Sequence, residues 1–326
     1  MFQAFFNFYM HRMILDKKAI ETAAGRIQPF INRTPVLTSQ SLNGMFETEL
    51  FFKCENFQKA GVFKSRGACN AVFSLSSLST NKGVATHSSG NHAQALARAA
   101  KLRNMKAYIV MPENSSKVKI DAVKAYGGLI TFCEPTLEAR ESTMKEVIDR
   151  TGAVEIHPYD NYQVIAGQGT ATKELLEEIP GLDYIVCPVG GGGLLSGTLL
   201  ATKIFSPSTQ VIAAEPEQAN DAFLSFKSKS FVPSVNPDTI ADGLRTSLGK
   251  LTFPIIMQYL YEIFTVSEQD IIDSMKLIWE RMKIVVEPSS AVTLAVVKNN
   301  AGLFRNKKIG IILSGGNVDL TRLPWM

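Results

Sequence analysis

The sequence lacks the features that mark several large classes of protein. Among 326 residues it has only four cysteines, Cys54, Cys69, Cys133 and Cys187, and no CxxC pair. This argues against a disulfide framework or a thiolate metal site and favours a reducing cytoplasm. Lysine and arginine are scattered, despite a formal net charge of +4, so we expect no nucleic-acid partner. No apolar run approaches the roughly 20 residues that span a bilayer. We therefore expect a small-molecule partner and no membrane association.

The N-terminal segment MFQAFFNFYMHRMIL is apolar but lacks the signs of a signal peptide. No basic segment precedes its apolar run, since His11 and Arg12 follow it, and no clear small-residue cleavage site is present. We interpret it as a non-native or alternative start upstream of Met13, or as an extra segment packed on the surface.

What the chain does have is a regular alternation of apolar, β-rich runs with helical patterns. A sequence that is 45% hydrophobic and 20% charged supports an ordinary globular core, and its length suits about two domains. The alternation predicts an α/β fold with mostly parallel sheets. The predicted strands cover residues 50–53, 83–87, 106–111, 129–133, 154–157, 184–188, 210–214, 263–266 and 308–313.

The composition does not shift at any single boundary, and no repeat or low-complexity linker separates two halves. An arrangement with one domain inserted in the other is therefore favoured over two domains in series. We predict a small inserted domain of residues 80–160 and a large domain formed by residues 1–79 and 161–326. A capping-box pattern at Ser267 also predicts the start of a core-facing helix.

A first motif surrounds Lys64, in the segment NFQKAGVFKSRGA (residues 56–68) between a predicted strand and a helix. Taken alone, a lysine at a helix start is most often a solvated first-turn residue. The positive end of the helix dipole disfavours a cation there, so we expect a lowered pKa for Lys64. A lysine with a lowered pKa forms imines more readily.

A second motif, HSSGNHAQ at residues 87–94, again joins a strand end to an alanine-rich helix. The backbone N–H groups of such a turn can bind a carboxylate or a phosphate. Alternatively, Ser88 or Asn91 is a simple helix cap, which is the commoner use of these residue types. The two roles do not exclude each other.

Two further turns are rich in glycine. Gly190 to Gly193 are four consecutive glycines between a buried strand and a helix, which lets several backbone amides converge on one phosphate. The run does not match GxGxxG, and no GxxxxGK[ST] occurs, so a dinucleotide or nucleoside triphosphate fold is disfavoured. Ser314, Gly315 and Gly316 follow the last strand, where Ser314 is alternatively a plain turn residue. All of these turns fall at carboxyl ends of strands, where an open α/β sheet binds its ligand.

In this order and spacing, the four motifs resemble the serine racemase and serine/threonine dehydratase (threonine ammonia-lyase) family of fold-type II pyridoxal-phosphate enzymes. The similarity spans about residues 15–322 and includes the segments TPVLTS (34–39), VIAGQGT (164–170), ADG (241–243) and EP (287–288). The resemblance implies a fold like that of the tryptophan synthase β chain, with two open, twisted, mostly parallel sheets flanked by helices. It also implies pyridoxal 5′-phosphate as cofactor and a small hydroxy amino acid as substrate.

The resemblance assigns a role to each motif. Lys64 would hold the cofactor as a Schiff base, Phe63 would pack beside its pyridine ring, and Asn91 would bond the ring hydroxyl. Ser314 would face the pyridine nitrogen. The residues implied to hold the phosphate are Gly190, Gly191, Gly192, Gly193 and Leu194. Those implied to hold the substrate are Ser88, Ser89, Gly90, Asn91 and His92.

The hydroxyl of Ser314, unlike a carboxylate, would leave the pyridine nitrogen largely unprotonated and so weaken the electron sink. Expulsion of a β-hydroxyl is then favoured. The resemblance therefore predicts an ammonia-lyase that converts L-serine, L-threonine or 3-hydroxyaspartate to a 2-oxo acid and ammonia. Ser89 stands where the racemases of this family carry a second acid–base group opposite Lys64. Its presence permits racemisation without proving it.

Two alternative functions stay open. One is a serine racemase in which elimination is a side reaction. The other is a catalytically inactive amino-acid-binding protein on the same fold, although such a protein would have no need for an imine-forming lysine at position 64.

The resemblance also implies a divalent-cation site. Its ligands would be Glu215, the carbonyl oxygen of Ala219 and Asp221, in a loop that follows a predicted strand. Hard oxygen ligands of this kind suit Mg²⁺, Ca²⁺ or Mn²⁺. Without the resemblance, two carboxylates in such a loop are more often solvated or helix-capping.

An ATP site at a subunit interface is a further implication, because racemases of this family carry one. Ser39, Lys59 and Gln94 match its positions, whereas Gln40 and Ala60 stand where hydroxyl residues are expected. The family also leads us to expect a homodimer.

Overall fold

The computed structural model describes residues 15–77, 81–88, 90–115 and 117–326. Within these ranges, ten strands form two sheets, which confirms the predicted α/β class. The strands are β1 (Val36–Leu37), β2 (Glu49–Cys54), β3 (Val84–His87), β4 (Ala107–Pro112), β5 (Leu129–Cys133), β6 (Val154–Glu155), β7 (Tyr184–Pro188), β8 (Gln210–Pro216), β9 (Glu262–Val266) and β10 (Lys308–Leu313).

Helices separate most of these strands along the chain. None of the helices in the described ranges combines the length and the apolarity that crossing a bilayer requires. They are α1 (Lys17–Ile27), α2 (Gln40–Phe46), α3 (Lys64–Ser74), α4 (Asn91–Leu102), α5 (Lys117–Ala125), α6 (Leu137–Thr151), α7 (Tyr162–Glu178), α8 (Gly193–Phe205), α9 (Asp221–Ser228), α10 (Thr252–Tyr259), α11 (Glu268–Met282), α12 (Pro288–Asn299) and α13 (Ala301–Phe304).

The large sheet has six strands in the order β1-β2-β10-β7-β8-β9. β1 runs antiparallel to β2, and every other neighbouring pair is parallel. The carboxyl ends of the parallel strands therefore lie along one edge of the sheet. The chain leaves this edge at Cys54, Leu313, Pro188 and Pro216, so the segments around Lys64, Ser314 and the four glycines all begin there.

The small sheet has four parallel strands in the order β5-β4-β3-β6. All four come from the sequence between β2 and β7, while the domain boundaries at 79/80 and 160/161 stay a prediction. β3 ends at His87, directly before the SSGNH turn. This turn therefore lies at the carboxyl end of a parallel strand, as the other motifs do.

Local sequence explains where the elements start and which faces they bury. The hydroxyl of Ser267 accepts a hydrogen bond from the backbone N–H of Asp270 at 3.2 Å, and α11 buries Ile271, Met275 and Ile278. The predicted capping pattern and core-facing helix are both confirmed. The sequence did not predict β1, because two residues are too short to show a periodicity. It also placed the end of β6 two residues too late, since pairing with β3 stops at Glu155.

Close packing of α3 against α7 positions the start of α3. A Cβ atom at Gly167 would lie 2.7 Å from the Cα atom of Gly67, a distance that real Cβ atoms do not reach. The backbone N–H of Gly67 also donates to the side-chain oxygen of Gln168 at 3.1 Å. The two helices are therefore in direct backbone contact one turn from Lys64.

We expect Gly167→Ala to lower the free energy of unfolding by about 1–3 kcal/mol, since overpacking at a backbone contact forces the helices apart. Gly25→Ala in α1 is a matched control, because no atom lies within 4 Å of its added Cβ. That variant should be as stable as the wild type or up to about 1 kcal/mol more stable. Urea denaturation measures both changes. Equal stability of Gly167→Ala and the wild type would contradict the contact.

Candidate active site

Lys64 is the first residue of α3, and the chain just before it is tied to the end of β10. The backbone N–H of Phe63 donates to the carbonyl oxygen of Ser314 at 2.9 Å. Val62 and Gly315 form an antiparallel bridge beside this bond. Two motifs that are far apart in the sequence are thereby held together.

The amine of Lys64 is part-buried and donates to the carbonyl oxygen of Pro158 at 2.8 Å. It lies 5.1 Å from the centroid of the Phe63 ring. Burial lowers the pKa of Lys64 to about 8, although the charge of Glu287 opposes this shift. The sequence predicted the direction correctly but not the cause, which is the loss of water around the amine rather than the helix dipole.

The four glycines form the turn between β7 and α8. Gly192 has a φ of +85°, a conformation that favours glycine, and it caps α8 without a side-chain hydrogen bond. Among the described residues, no acceptor bonds to the backbone N–H groups of Gly191, Gly192, Gly193 or Leu194. Free N–H donors at the positive end of a helix dipole are the arrangement that binds a phosphate.

Protein atoms enclose the other side of the glycine turn. A Cβ atom at Gly190 would lie 2.9 Å from the Cα atom of Leu244, and one at Gly191 would lie 2.3 Å from the Tyr159 ring. The hydroxyl of Thr252 donates to the carbonyl oxygen of Gly191 at 2.8 Å. Glycine is therefore required at these positions, because a Cβ atom would clash with the surrounding protein. This packing does not involve the backbone N–H groups of the turn.

Ser314 is buried at the end of β10. Its hydroxyl lies 3.1 Å from the hydroxyl of Ser290. Ser290 also donates to the carbonyl oxygen of Gly315 at 2.7 Å and accepts from its N–H at 2.8 Å. Ser290 thus fixes the turn that contains Ser314. Apart from being one of two consecutive serines, Ser290 has no sequence feature that indicates this role.

Asn91, the first residue of α4, sits in a network of side chains from distant parts of the chain. Its amide nitrogen donates to both carboxylate oxygens of Glu287, at 3.0 and 3.1 Å. Its amide oxygen accepts from the side chain of Asn317 at 2.8 Å and from Gln94 at 3.4 Å. The orientation of Asn91 is therefore fixed from several sides.

The SSGNH turn leads into α4 without a side-chain cap, because Gly90 is the N-cap residue. The alternative that Ser88 or Asn91 caps this helix is therefore wrong. Within the described residues, the hydroxyl of Ser88 accepts a single long bond, 3.4 Å, from the N–H of Gly90. His92 is buried and its Nε2 lies 3.1 Å from the carbonyl oxygen of Ile156. Ser89 lies outside the described residues, so its predicted acid–base role is not described.

Glu287 is a site residue that the sequence marked only as part of a matching segment. Its side chain is fully enclosed, and burial, together with the charge of Asp242, raises its pKa to about 7. Two contacts join it to the site, its bonds from Asn91 and the backbone bond from Glu287 N–H to the carbonyl oxygen of Gly315 at 3.0 Å. A buried carboxyl group in this position holds a proton near neutral pH.

The loop after β6 also contributes to the site, and sequence reasoning assigned it no role. Pro158 accepts the bond from Lys64, and the ring of Tyr159 packs on the glycine turn. His157 orders this loop by accepting from the N–H of Asp160 at 2.9 Å. A cavity of about 360 Å³ opens beside it on the small-sheet side, between His157, His87 and α6.

The implied cation site contains two buried carboxyl groups. Burial and the charge of Asp221 raise the pKa of Glu215 well above its ordinary value, although both of its oxygens accept backbone bonds at the start of α9. Neither carboxylate oxygen of Asp221 has a well-formed hydrogen bond among the described residues, although Ser234 and the backbone of Leu248 are close enough to oppose the rise of its pKa. Burial raises the pKa of Asp221 to about 7. No cluster of three histidine, cysteine or acidic side chains that could hold a metal occurs in the described part of the chain.

Comparison with known proteins identifies the family. The family model described as "Pyridoxal-phosphate dependent enzyme" matches residues 27–315. The chain belongs to this family. It is 52% identical to the β-hydroxyaspartate dehydratase of Paracoccus denitrificans, a match that covers 92% of this chain and 95% of the relative.

Two solved structures extend the similarity to the fold. The crystal structure of serine racemase from Dictyostelium discoideum is 51% identical, with a TM-score of 0.90 and coverage of 94% of this chain and 99% of that one. The crystal structure of a threonine deaminase from T.th. is 40% identical, with a TM-score of 0.89 and coverage of 94% and 100%. The predicted fold-type II architecture is thereby confirmed.

The residues of the site fit pyridoxal phosphate, the cofactor that the family implies. The free N–H groups from Gly191 to Leu194 can bind a phosphate, and the buried Ser314 hydroxyl can meet a ring nitrogen. The Lys64 amine, with its lowered pKa, can condense with an aldehyde. The assignment of each contact to these residues remains a proposal.

The raised pKa of Glu287 predicts a pH-dependent stability. In the folded state Glu287 holds its proton more tightly than a carboxyl group with the ordinary pKa of 4.5. The free energy of unfolding is therefore highest below pH 4.5 and decreases as the pH rises through about 7. Above pH 7 this loss is about 3 kcal/mol, and Glu287→Gln should remove it. Urea denaturation of the cofactor-free proteins across this range measures the difference. A difference that does not vary with pH would contradict a titrating Glu287.

Proposed function

We propose that the protein is an ammonia-lyase that acts on a small hydroxy amino acid, L-serine, L-threonine or 3-hydroxyaspartate, and releases a 2-oxo acid and ammonia. Racemisation of serine is proposed as a second activity of the same site. The observation that carries the proposal is the Lys64 amine, whose pKa is lowered to about 8 and which lies 5.1 Å from the Phe63 ring, next to the backbone bond that joins Phe63 to Ser314. The names of a dehydratase and a racemase with about half of their residues identical support it.

When bound, pyridoxal phosphate supplies an electron sink that weakens the bonds at Cα and Cβ of an amino acid. The amine of Lys64 takes the proton from Cα, and a pKa near 8 leaves a useful fraction of it neutral at physiological pH. Ser314 offers the ring nitrogen an uncharged hydroxyl rather than a carboxylate. A hydroxyl at this position favours departure of the β-hydroxyl over delocalisation of the negative charge into the pyridine ring.

The substrate carboxylate is assigned to the turn of residues 88–92. The start of α4 lies in this turn and has no side-chain cap, so its N–H groups are available to an anion. The Ser88 hydroxyl lies within this turn, near the N–H of Gly90, whereas the His92 imidazole bonds to Ile156. His92 therefore acts through its backbone and by supporting the turn.

Racemisation requires one catalytic group that elimination does not. Racemisation needs a second acid–base group on the face of the cofactor opposite Lys64, and Ser89 is assigned this role. A serine racemase with elimination as a side activity is the second candidate function, favoured by 51% identity to the racemase of Dictyostelium discoideum. An inactive amino-acid-binding protein is disfavoured by the lowered pKa of the Lys64 amine, which binding alone does not require.

We extend the proposal to a divalent cation bound by Glu215, the carbonyl oxygen of Ala219 and Asp221. Mg²⁺ is proposed first, with Ca²⁺ or Mn²⁺ as substitutes. The buried Asp221, whose oxygens have no well-formed hydrogen bond among the described residues, supports it, since a buried carboxylate with weak partners is costly unless it is neutralised. Oxygen ligands alone also match the preference of these ions.

An activating ATP site and a homodimer complete the proposal. Gln94 bonds to Asn91 and so offers a link between an interface site and the active site. Ser39 already caps α2 through its hydroxyl, which leaves Lys59 as the main phosphate-binding side chain of the three residues. A cytoplasmic location is proposed because all four cysteines are buried and unpaired, as in proteins of reducing compartments.

Substitution of Lys64 tests the central assignment. The wild-type protein supplied with pyridoxal phosphate should show a visible absorption band and form 2-oxo acid from L-serine, L-threonine or 3-hydroxyaspartate. Lys64→Ala should lose the band and lower the rate by roughly 10²–10⁴-fold or more, because it removes both the cofactor bond and the base. Lys101→Ala, an exposed lysine of α4, is the control and should match the wild type.

A panel of amino acids assayed for 2-oxo acid and for chirality separates the candidates. A visible band with no product from any hydroxy amino acid would refute the lyase. Formation of D-serine faster than pyruvate from L-serine would make the racemase the principal function.

Metal binding is tested by stability rather than activity. Mg²⁺ should stabilise the wild type by about 2.7 kcal/mol at a hundredfold excess over its dissociation constant, because its ligands are brought together only in the folded state. Asp221→Asn keeps the shape but removes one charge, and it should respond much less. Thermal unfolding with Mg²⁺ and with a chelator measures this. An equal response of both proteins would place the ion elsewhere.

A further inference from the structure

Four charged side chains are buried together beneath the start of α3. Lys53, Glu55 and Arg66 have no exposed side-chain surface, and Glu174 is 13% exposed. Two are positive and two are negative, so the group is neutral as a whole. We call these four residues the buried ion cluster.

Arg66 is the centre of the buried ion cluster. Its Nε and Nη2 atoms donate to the two oxygens of Glu55 at 2.7 and 2.8 Å. Its Nη1 and Nη2 atoms donate to the two oxygens of Glu174, both at 2.7 Å. One guanidinium therefore forms two forked pairs, a geometry that fixes the position and the plane of the side chain.

Lys53 extends the cluster to a third element. Its amine donates to Glu174 and to the carbonyl oxygen of Thr34, both at 2.7 Å. Burial raises the pKa of Glu174, but the bonds from Arg66 and Lys53 outweigh this effect and hold its pKa below the ordinary value. Glu174 is therefore ionised, and the pairing with Arg66 is between charges.

The cluster joins three elements around one residue. Lys53 lies in β2, Glu55 follows this strand, Arg66 lies in the first turn of α3, and Glu174 lies in α7. Lys64 is two positions before Arg66. Its other flank is held by the bond from Phe63 to Ser314. The backbone of Lys64 is thus anchored on both sides.

Stability alone does not explain such a cluster. Buried ion pairs are often no more stabilising than apolar side chains of the same volume, because the charges lose their water. What a forked arginine adds is a fixed geometry, which a lysine of the same charge does not reproduce. A small displacement of a catalytic group costs a large factor in rate.

We propose that the buried ion cluster is a positioning device for Lys64, and that Arg66 is its principal positioning residue. Arg66 does not touch the substrate or the cofactor. It sets where the first turn of α3 lies relative to β2 and α7, and thereby where the Lys64 amine meets the cofactor aldehyde. This inference rests on the proposed cofactor-binding role of Lys64.

Two variants and one control test the inference in the protein loaded with pyridoxal phosphate. Arg66→Lys keeps every charge but removes the fork. Glu174→Gln keeps the shape of the side chain but removes the negative charge that pairs with Arg66. Glu177→Gln is the matched control, because Glu177 lies on the same helix and pairs with Arg33 at 3.2 Å, with both side chains exposed.

The visible absorption band is the readout that separates positioning from general stability. In Arg66→Lys and Glu174→Gln the band should persist, but the pH at which it titrates should move by roughly half a unit or more, because the surroundings of the Lys64 nitrogen change. The kcat should fall by roughly 10- to 100-fold, with KM within about twofold. Glu177→Gln should match the wild type in all three measures.

The results distinguish this inference from the proposed function. An unchanged titration and kcat in Glu174→Gln, or equal changes in Glu174→Gln and Glu177→Gln, would refute the positioning role. If Arg66→Lys does not fold, Glu174→Gln decides by the same measures. A wild-type protein without a visible band would refute the cofactor assignment itself.

Discussion

The site depends on the hydrogen bond from the Lys64 amine to a backbone carbonyl, that of Pro158. A carboxylate partner would stabilise the ammonium form and raise the pKa of the lysine. A carbonyl oxygen carries no full charge, so the loss of water is offset only in part, by the charge of Glu287, and the pKa falls to about 8. A nucleophilic amine requires such a lowered pKa, because only the neutral form of the lysine reacts. The surrounding elements place the carbonyl, the aromatic ring of Phe63 and the glycine turn about that one nitrogen.

Parallel strands make this assembly feasible. β2, β10 and β7 are neighbours in the large sheet, and each is followed directly by one part of the site. Their pairing fixes the distances between those parts before any side chain is considered. The small sheet then brings the turn of residues 88–92 to the same place, where Asn91 bonds to Glu287 from the far end of the chain. Polar groups buried in such a network reduce stability, which is a usual accompaniment of function.

The sequence predicted much of this because strands and glycine turns leave local patterns. The nine predicted strands and the turn at Gly190 follow from residues near each other in the chain. For the pKa of Lys64 only the direction was predicted, because its cause is burial in the folded protein. Glu287 and Ser290 were not predicted as site residues, since their partners Asn91 and Ser314 are 196 and 24 positions away. Long-range pairs of this kind appear only when the fold brings them together. For the same reason the link between Arg66 and Glu174, 108 positions apart, has no sequence signal.

The unbonded N–H groups at the start of α8 have a practical consequence. If they bind the coenzyme phosphate as proposed, they also attract other tetrahedral oxyanions. Inorganic phosphate or sulfate in a buffer therefore competes for the turn after β7. On the proposed binding of the coenzyme phosphate at this turn, we expect apoenzyme stored in such buffers to take up its coenzyme more slowly than apoenzyme kept in a buffer that contains neither such an anion nor a primary amine.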